Sequence, residues 1–128
     1  MNENTKEDIR KPLSKAEQIV MKFRAAHPKL CEAFSTVELE QLALFARKSL
    51  DYGTDNIAGG TKLDTAESVY FALNGIWYRM MDKMNRWKHC VMNSYNSLEN
   101  ESLADTFQDL ANYAMIASLV LRGEWHDE

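Results

Sequence analysis

The chain has 128 residues, of which 45% are apolar, a size and composition typical of one globular domain. Fifteen Lys and Arg against 19 Asp and Glu give a formal net charge of −4, which argues against a protein that coats nucleic acid through charge alone. The longest near-apolar run, residues 114–121, is too short to cross a membrane as a helix. The two cysteines form no paired motif, so we expect reduced thiols and a cytoplasmic location.

The chain is predicted to have three parts: an N-terminal arm over 1–13, a single helical domain over 14–123 and an acidic tail over 124–128. The arm is polar and carries no hydrophobic period. Trp125 lies in this tail, and we expect its side chain either to remain part of the tail or to belong to an interface.

The first two helices are predicted from their capping signals. Ser14 to Glu17 has the form of a capping box, and the step into Pro28 disfavours further helix, so helix one is predicted over 14–27. A second box, Ser35 to Glu38, precedes an apolar repeat at steps of three and four, so helix two is predicted over 36–50.

Residues 51–64 form the longest internal segment without a period, and they include Gly53, Gly59 and Gly60. The segment is longer than most connections between helices. It is either a plain surface loop or a loop whose glycine backbone approaches a ligand.

The last two helices have the clearest patterns. Asp64 to Glu67 resembles a third capping box, and one apolar stripe continues to Met92, so helix three is predicted from there to about 92. Helix four is predicted from about 100 to its C-cap at Gly123. No segment alternates with period two. The predicted fold is therefore an all-α bundle of four main helices, in which helices three and four are the longest and run antiparallel.

Charged and polar side chains gather on one face of each of these two helices. On helix three the set comprises Arg79, Asp82, Lys83 and Arg86, and on helix four it comprises Glu101, Asp105, Asp109 and Asn112. Carboxylates spaced by four residues repel one another, so they call for a counter-ion. Either the basic side chains of helix three supply it, or a hard divalent cation such as Mg²⁺ or Mn²⁺ does.

The C-terminal half of helix four is apolar nearly all round. Outside its main stripe it carries Met115, Ile116, Leu119 and Val120. One neighbouring helix would not cover this surface, so we expect a homo-oligomer, with a twofold dimer as its basis.

Three blocks of sequence, DYGTDNI, YRMMDKMNR and ESLADTFQDLANYAMI, together resemble the nucleotide modification associated domain of the first type. That domain, formerly one of unknown function, is common in bacteriophages. The resemblance covers residues 51–116 and implies a phage or prophage origin, hence the host cytoplasm, and a link to deoxynucleotide metabolism or base modification. The matching positions are Asp51, Tyr52, Gly53, Asn56, Arg79, Asp82, Lys83, Arg86, Glu101, Ser102, Asp105, Asp109, Asn112 and Tyr113.

A more distant likeness is to the all-α nucleoside triphosphate pyrophosphatases, the group of MazG and the phage dUTPase-like enzymes. These enzymes bind Mg²⁺ with an ExxE pair on one helix and an ExxD pair on a later one. Asp109 resembles the aspartate of the second pair, although the residue three before it is Thr106. Helix three offers Asp82 and Asn85 where the first pair would stand.

These resemblances imply a set of roles. In an Mg²⁺-dependent pyrophosphohydrolase, the carboxylates Asp82, Glu101, Asp105 and Asp109 would hold the metal ion, with Mn²⁺ as a possible substitute. The phosphates would be bound by Arg79, Lys83 and Arg86. The loop over residues 51–60 would close over the base or sugar, with Tyr52 and Asn56 as its readers. Gly53 and Asn112 complete the predicted nucleotide-binding set.

Three other functions stay open at this point. The same site could bind a nucleotide or a cyclic-nucleotide signal without turnover, as a sequestering protein that counters host defence. The polar faces could instead be salt bridges in a structural adaptor. Nucleic-acid binding through residues 79–88 is opposed by the acidic total and by the neighbouring carboxylates.

Overall fold

The computed structural model describes residues 11–96 and 103–126. Within these residues the chain is helical, with no strand. Its five helices are α1 (Lys15–Ala26), α2 (Pro28–Tyr52), α3 (Asp55–Ala58), α4 (Ala66–Met92) and α5 (Leu103–Leu121). The predicted all-α class is therefore confirmed, with a fifth, one-turn helix added. No helix in the described part of the chain combines the length and the apolar character needed to cross a membrane.

Helix α1 forms where its capping signals predict it. The backbone N–H of Glu17 donates to the Ser14 hydroxyl oxygen (3.1 Å), which satisfies one of the free donors at the start of the helix. At the other end, the His27 N–H donates to the Phe23 carbonyl at 2.7 Å.

Helix α2 begins eight residues earlier than predicted. Pro28 is its first residue, a position where the missing N–H of proline has no partner to lose. The expected cap at residues 35–38 is wrong, because these residues lie inside the helix and the Thr36 hydroxyl donates to the Glu32 carbonyl at 3.1 Å. As a result α2 has 25 residues against 19 in α5, so α5 is not one of the two longest helices of the described chain.

The chain divides into two compact units, residues 1–39 and 40–128, with the boundary inside α2. In the described part of the N-terminal unit, Cys31 is the buried side chain, and Ile19, Val20 and Phe23 of α1 are exposed. The C-terminal unit contains the hydrophobic core and every candidate site residue that the structure describes.

The core of the C-terminal unit is built on α4 and α5, which pack against each other. Its buried members are Ile57, Ala72, Ile76, Ile116, Val120 and Trp125. Further along the same two helices, the rings of Trp87 and Phe107 meet edge to face, 4.7 Å apart. Ile116 and Val120 are thus covered within one chain. Much of the surface that the sequence analysis assigned to an oligomer interface is therefore already buried.

The glycine-containing segment 53–65 is an ordered connection. It carries the single turn α3, whose Ile57 and Ala58 are buried. Gly59 ends this turn in the left-handed region (φ +63°), and a Cβ there would lie 3.1 Å from the Phe71 ring. Helix α4 then starts at a capping box between Thr65 and Ser68, one residue later than the predicted box.

The segment after α5 turns back onto the core. Gly123 has φ +72°, and its N–H and that of Glu124 donate to the Val120 and Leu119 carbonyls, the two bonds of a Schellman motif. The turn places Trp125 in the core, where its ring meets Phe45 edge to face at 6.0 Å. Trp125 is therefore a core residue rather than a tail residue.

We expect Trp125→Ala to lower the free energy of unfolding by about 3–5 kcal/mol, because the removed ring leaves a cavity in the core. Trp125→Phe should lower it by less, since one aromatic ring remains in the core although the indole N–H and part of the buried volume are lost. Urea unfolding followed by circular dichroism measures both changes. The matched control is Leu50→Ala, at a side chain that is 87% exposed, where a change within about 0.5 kcal/mol is expected. Equal effects at the two positions would contradict the placement of Trp125.

Candidate binding site

A cavity of about 240 Å³ opens between the end of α2, the turn α3 and the middle of α5. We call it the Asn112 cavity. It brings together four of the residues predicted from the sequence to bind a nucleotide, and they are Tyr52, Gly53, Asn56 and Asn112. The rest of its lining comes from Lys48, Ser49, Ile57, Tyr113, Ile116 and Trp125.

Asn112 is a buried polar residue in the lining of this cavity. The residue is 4% exposed, and its Oδ1 atom has no hydrogen-bond partner in the described chain. A buried carbonyl oxygen without a donor costs about 1–3 kcal/mol, so such atoms are uncommon in the absence of a functional reason. The oxygen itself has almost no exposed area, so an N–H group of a ligand in the cavity would satisfy it after a small rotation of the Asn112 side chain.

Aromatic rings form part of the cavity wall. Trp125 is buried, and its indole N–H donates to the Thr54 carbonyl at 3.2 Å, which fixes the ring beside the start of α3. Tyr52, at the last position of α2, is 70% exposed and is therefore accessible to a ligand. A flat ligand group can stack on such rings at little cost in conformational entropy.

Beside the cavity, one carboxylate holds two cations. Asp109 on α5 contacts the Lys48 ammonium through Oδ1 at 2.8 Å and the Lys83 ammonium through Oδ2 at 2.9 Å. Burial alone would raise the pKa of Asp109, but the hydrogen bonds and charges of the two lysines outweigh it, and the pKa lies below the usual 3.8. The predicted approach of helix three and helix four charges is thus observed for Lys83 and Asp109.

Sequence reasoning missed Lys48 and assigned no role to α2 in the site. Lys48 lies seven residues after Gln41, so the two share one side of the helix. Gln41 is buried, and its amide donates to the Gln108 carbonyl of α5 at 2.8 Å. Gln41 and Lys48 flank the apolar residues Leu44 and Phe45, and this pattern could have indicated that this side of α2 contacts another helix.

The remaining predicted residues lie outside the Asn112 cavity. The Arg79 guanidinium donates to the Asn56 carbonyl at 3.0 Å, and both residues line a second, open depression. Asp82, Arg86 and Asp105 are exposed, and Glu101 lies outside the described residues. The single cleft expected to unite all seven charged residues is therefore observed only in part.

The predicted metal ligands do not form a cluster in the part of the chain that the structure describes. No three His, Cys, Asp or Glu side chains in residues 11–96 and 103–126 stand close enough to share an ion. Asp109, the central member of the proposed set, already binds an ammonium group with each of its oxygens. An Mg²⁺ ion would have to displace a lysine there, so the metal site with Asp82, Glu101 and Asp105 stays a prediction.

No protein-family model matches this chain, and neither a curated protein nor a solved structure does. The chemistry of the Asn112 cavity therefore carries the functional argument.

We expect Asp109→Asn to lower the free energy of unfolding at neutral pH by about 1–3 kcal/mol, because it removes the negative charge and one of the two acceptor oxygens that pair with the lysines. The lowered pKa of Asp109 contributes stability above pH 3.8 that is lost as the pH falls through the folded-state value. The variant should therefore lose less stability than the parent on acidification. Urea unfolding at several pH values measures this difference.

The matched control for this experiment is Asp82→Asn, which alters an exposed carboxylate on α4. It should leave both the stability and its pH dependence nearly unchanged. If Asp109→Asn behaved like this control, the two lysine contacts would make no measurable contribution to the free energy of unfolding.

Proposed function

We propose that this protein binds a nucleotide in the C-terminal unit, with the base in the Asn112 cavity, on a bundle whose α4 and α5 run antiparallel. The observation that carries the proposal is the buried Asn112 oxygen without a partner. Every common nucleobase has an N–H group on its pairing edge, and aromatic rings in the wall offer a surface on which it can stack. The phage domain that the sequence resembles supports the same conclusion, because Tyr52, Gly53 and Asn56 are shared between the resemblance and the cavity lining.

The size of the cavity indicates which part of the ligand it encloses. At about 240 Å³ it is smaller than the roughly 300–1,000 Å³ typical of sites that enclose a drug-sized molecule. A base with part of its sugar fits this volume, so the phosphates would lie at the opening. Lys48 lines the cavity and is partly exposed, and its ammonium has three N–H donors. One of them is used by Asp109, which leaves Lys48 able to bind a phosphate as well.

Binding without turnover is the form of this function that the contacts favour. Hydrolysis of a triphosphate by the predicted route needs Asp109 as a metal ligand, whereas both of its oxygens hold lysines. A protein that sequesters a nucleotide or a nucleotide signal needs only the cavity and the cation at its opening. The second candidate, an Mg²⁺-dependent pyrophosphohydrolase of phage nucleotide metabolism, requires the two lysines to release that carboxylate.

A nucleotide panel tests the proposal directly. Thermal shift and titration calorimetry should reveal at least one nucleoside mono-, di- or triphosphate, or cyclic nucleotide, that raises the melting temperature. Each compound is measured with Mg²⁺ and with a chelator, and release of pyrophosphate is assayed for every compound that binds. Binding that persists in the chelator without product release supports sequestration. Mg²⁺-dependent product release would identify the hydrolase instead, and no binding across the panel would refute both.

We expect Asn112→Leu to weaken binding about 5- to 150-fold, because the N–H of the ligand then lacks its acceptor. The same substitution should leave the ligand-free protein as stable as the parent or more so, since the Oδ1 atom has no partner to lose. Calorimetry and urea unfolding give the two quantities. The matched control is Asn85→Leu, which changes an exposed amide on α4 away from the cavity. Loss of stability with unchanged affinity would show that Asn112 has a structural role.

Tyr52→Ala tests the stacking surface. A base stacked on an aromatic side chain gains about 1–3 kcal/mol, so the affinity should fall about 5- to 150-fold. Tyr52→Phe keeps the ring and should retain most of the affinity. Equal losses in the two variants would show that the hydroxyl, rather than the ring, contacts the ligand.

A further inference from the structure

A depression of about 480 Å³ opens between the turn α3 and the first half of α4. We call it the Gly75 trough. The residues of its lining that bear on binding are Asn56, Phe71, Asn74, Gly75, Tyr78 and Arg79. Two residues of α3, Asn56 and Ile57, also line the Asn112 cavity, and the rest of the two linings differs. The trough has about twice the volume of that cavity and lies within the roughly 300–1,000 Å³ of sites that enclose a whole small molecule.

Gly75 lies inside a helix of 27 residues, where glycine is less favourable than alanine. Its φ is not positive, and a Cβ atom added to it would meet nothing within 4 Å in the described chain. Neither the backbone conformation nor a contact with the described residues therefore requires glycine at this position. A ligand that lies directly against the backbone of α4 would require it.

An aromatic ring stands on each side of Gly75 along the same face of α4. Phe71 is four residues earlier and 64% exposed, and Tyr78 is three residues later and 66% exposed. Each ring is nevertheless held in place. The Phe71 ring lies against Gly59, where a side chain would crowd it, and the Tyr78 ring meets Trp77 edge to face at 4.9 Å. The two rings offer surfaces on which a flat group can stack.

Polar groups at the edge of the trough narrow the class of ligand. The half-buried Arg79 guanidinium donates to the Asn56 carbonyl at 3.0 Å, which connects α4 to α3. A guanidinium has five N–H donors, so it can bind a phosphate group at the same time. The exposed side-chain amides of Asn56 and Asn74 each offer a donor and an acceptor, as the edge of a nucleobase does.

We propose that the Gly75 trough is a second nucleotide-binding site, in which a base lies against Gly75 beside the aromatic rings and a phosphate contacts Arg79. A nucleoside monophosphate combines the flat ring, the polar edge and the anion that this lining fits. Arg79 follows Gly75 by four residues, about 6 Å along the helix, so the ribose would bridge the distance between base and phosphate. This site goes beyond the Asn112 cavity and can be occupied without it.

Gly75→Ala tests the close approach to the helix. The new methyl group would take the place of ligand atoms, so the affinity for the 5′-monophosphates of adenosine, guanosine, cytidine and thymidine should fall about 5- to 150-fold at this site. The urea midpoint of the ligand-free protein should rise, because alanine is the better helix former and its Cβ has room. The matched control is Asn85→Ala, at an exposed position of α4 outside the trough, which should retain the affinity. Unchanged affinity in Gly75→Ala would overturn the proposal.

Arg79→Gln tests the phosphate contact. The trough should bind adenosine 5′-monophosphate about ten-fold or more tightly than adenosine, and the substitution should remove this preference because it removes the cation. Lys88→Gln, which removes an exposed cation of α4 outside the trough, is the matched control and should keep the preference. A preference that survives Arg79→Gln would contradict the placement of the phosphate.

Calorimetry on Asn112→Leu separates the two sites. This variant should still bind one nucleoside monophosphate per chain, and adding Gly75→Ala should remove that binding. If Asn112→Leu alone abolished all binding, the trough would be overturned and the Asn112 cavity supported. If the parent bound none of the four monophosphates, the trough would likewise be overturned, whereas the cavity would still be tested by the di-, tri- and cyclic nucleotides of the larger panel.

Discussion

The C-terminal unit is organised around one carboxylate that two ammonium groups share. Asp109 on α5 receives Lys48 from α2 and Lys83 from α4, so a single residue joins three helices. An unpaired charge at this depth would be costly, and the two lysines make the burial of Asp109 tolerable. Because the contacts use both carboxylate oxygens, they connect the C-terminal half of α2 with α4 and α5 beside the Asn112 cavity.

These contacts bear on the chemistry of the cavity. Lys48, which is partly exposed, and the buried Asn112, three residues after Asp109, both line it. Asn112 and two apolar residues of the same lining, Ile57 and Ile116, are all buried, so an N–H group that reached the unsatisfied oxygen would meet little competition from water. A carboxylate that already pairs with two ammonium groups is not free to coordinate a divalent metal ion, whereas the ammonium groups can also bind an anionic ligand. We therefore propose nucleotide binding rather than metal-dependent hydrolysis.

The sequence predicted the parts of the structure that depend on local signals. The caps at Ser14 and Gly123, and the long period of α4, are encoded by neighbouring residues, and each of these elements ends close to its expected position. The start of α2 was missed because proline can either stop a helix or begin one, and the sequence around Pro28 fits both.

The candidate site was predictable in part from helix faces, which grouped Asp109 with Asn112, and from the glycines of residues 51–64, whereas the resemblance supplied Tyr52 and Asn56. Tyr52 and Asn112 are far apart in the chain, and no period links them, yet they line one cavity. Lys48 was missed because its partner Asp109 lies 61 residues away, and such a pairing depends on how three helices pack. The set of buried residues on α5 likewise depends on how α4 packs against it, so the burial of Ile116 could not be predicted from α5 alone.

The turn at Gly123 has an optical consequence. By returning the chain onto the core, it makes an indole ring part of the cavity wall, whereas Trp77 faces outward and Trp87 is half-buried. The emission of tryptophan depends on the polarity around its ring and on contact with other aromatic groups. Trp125 therefore acts as an intrinsic fluorophore at the place where a base would stack. Replacing the other two tryptophans by phenylalanine would leave a single spectroscopic reporter of what enters the cavity.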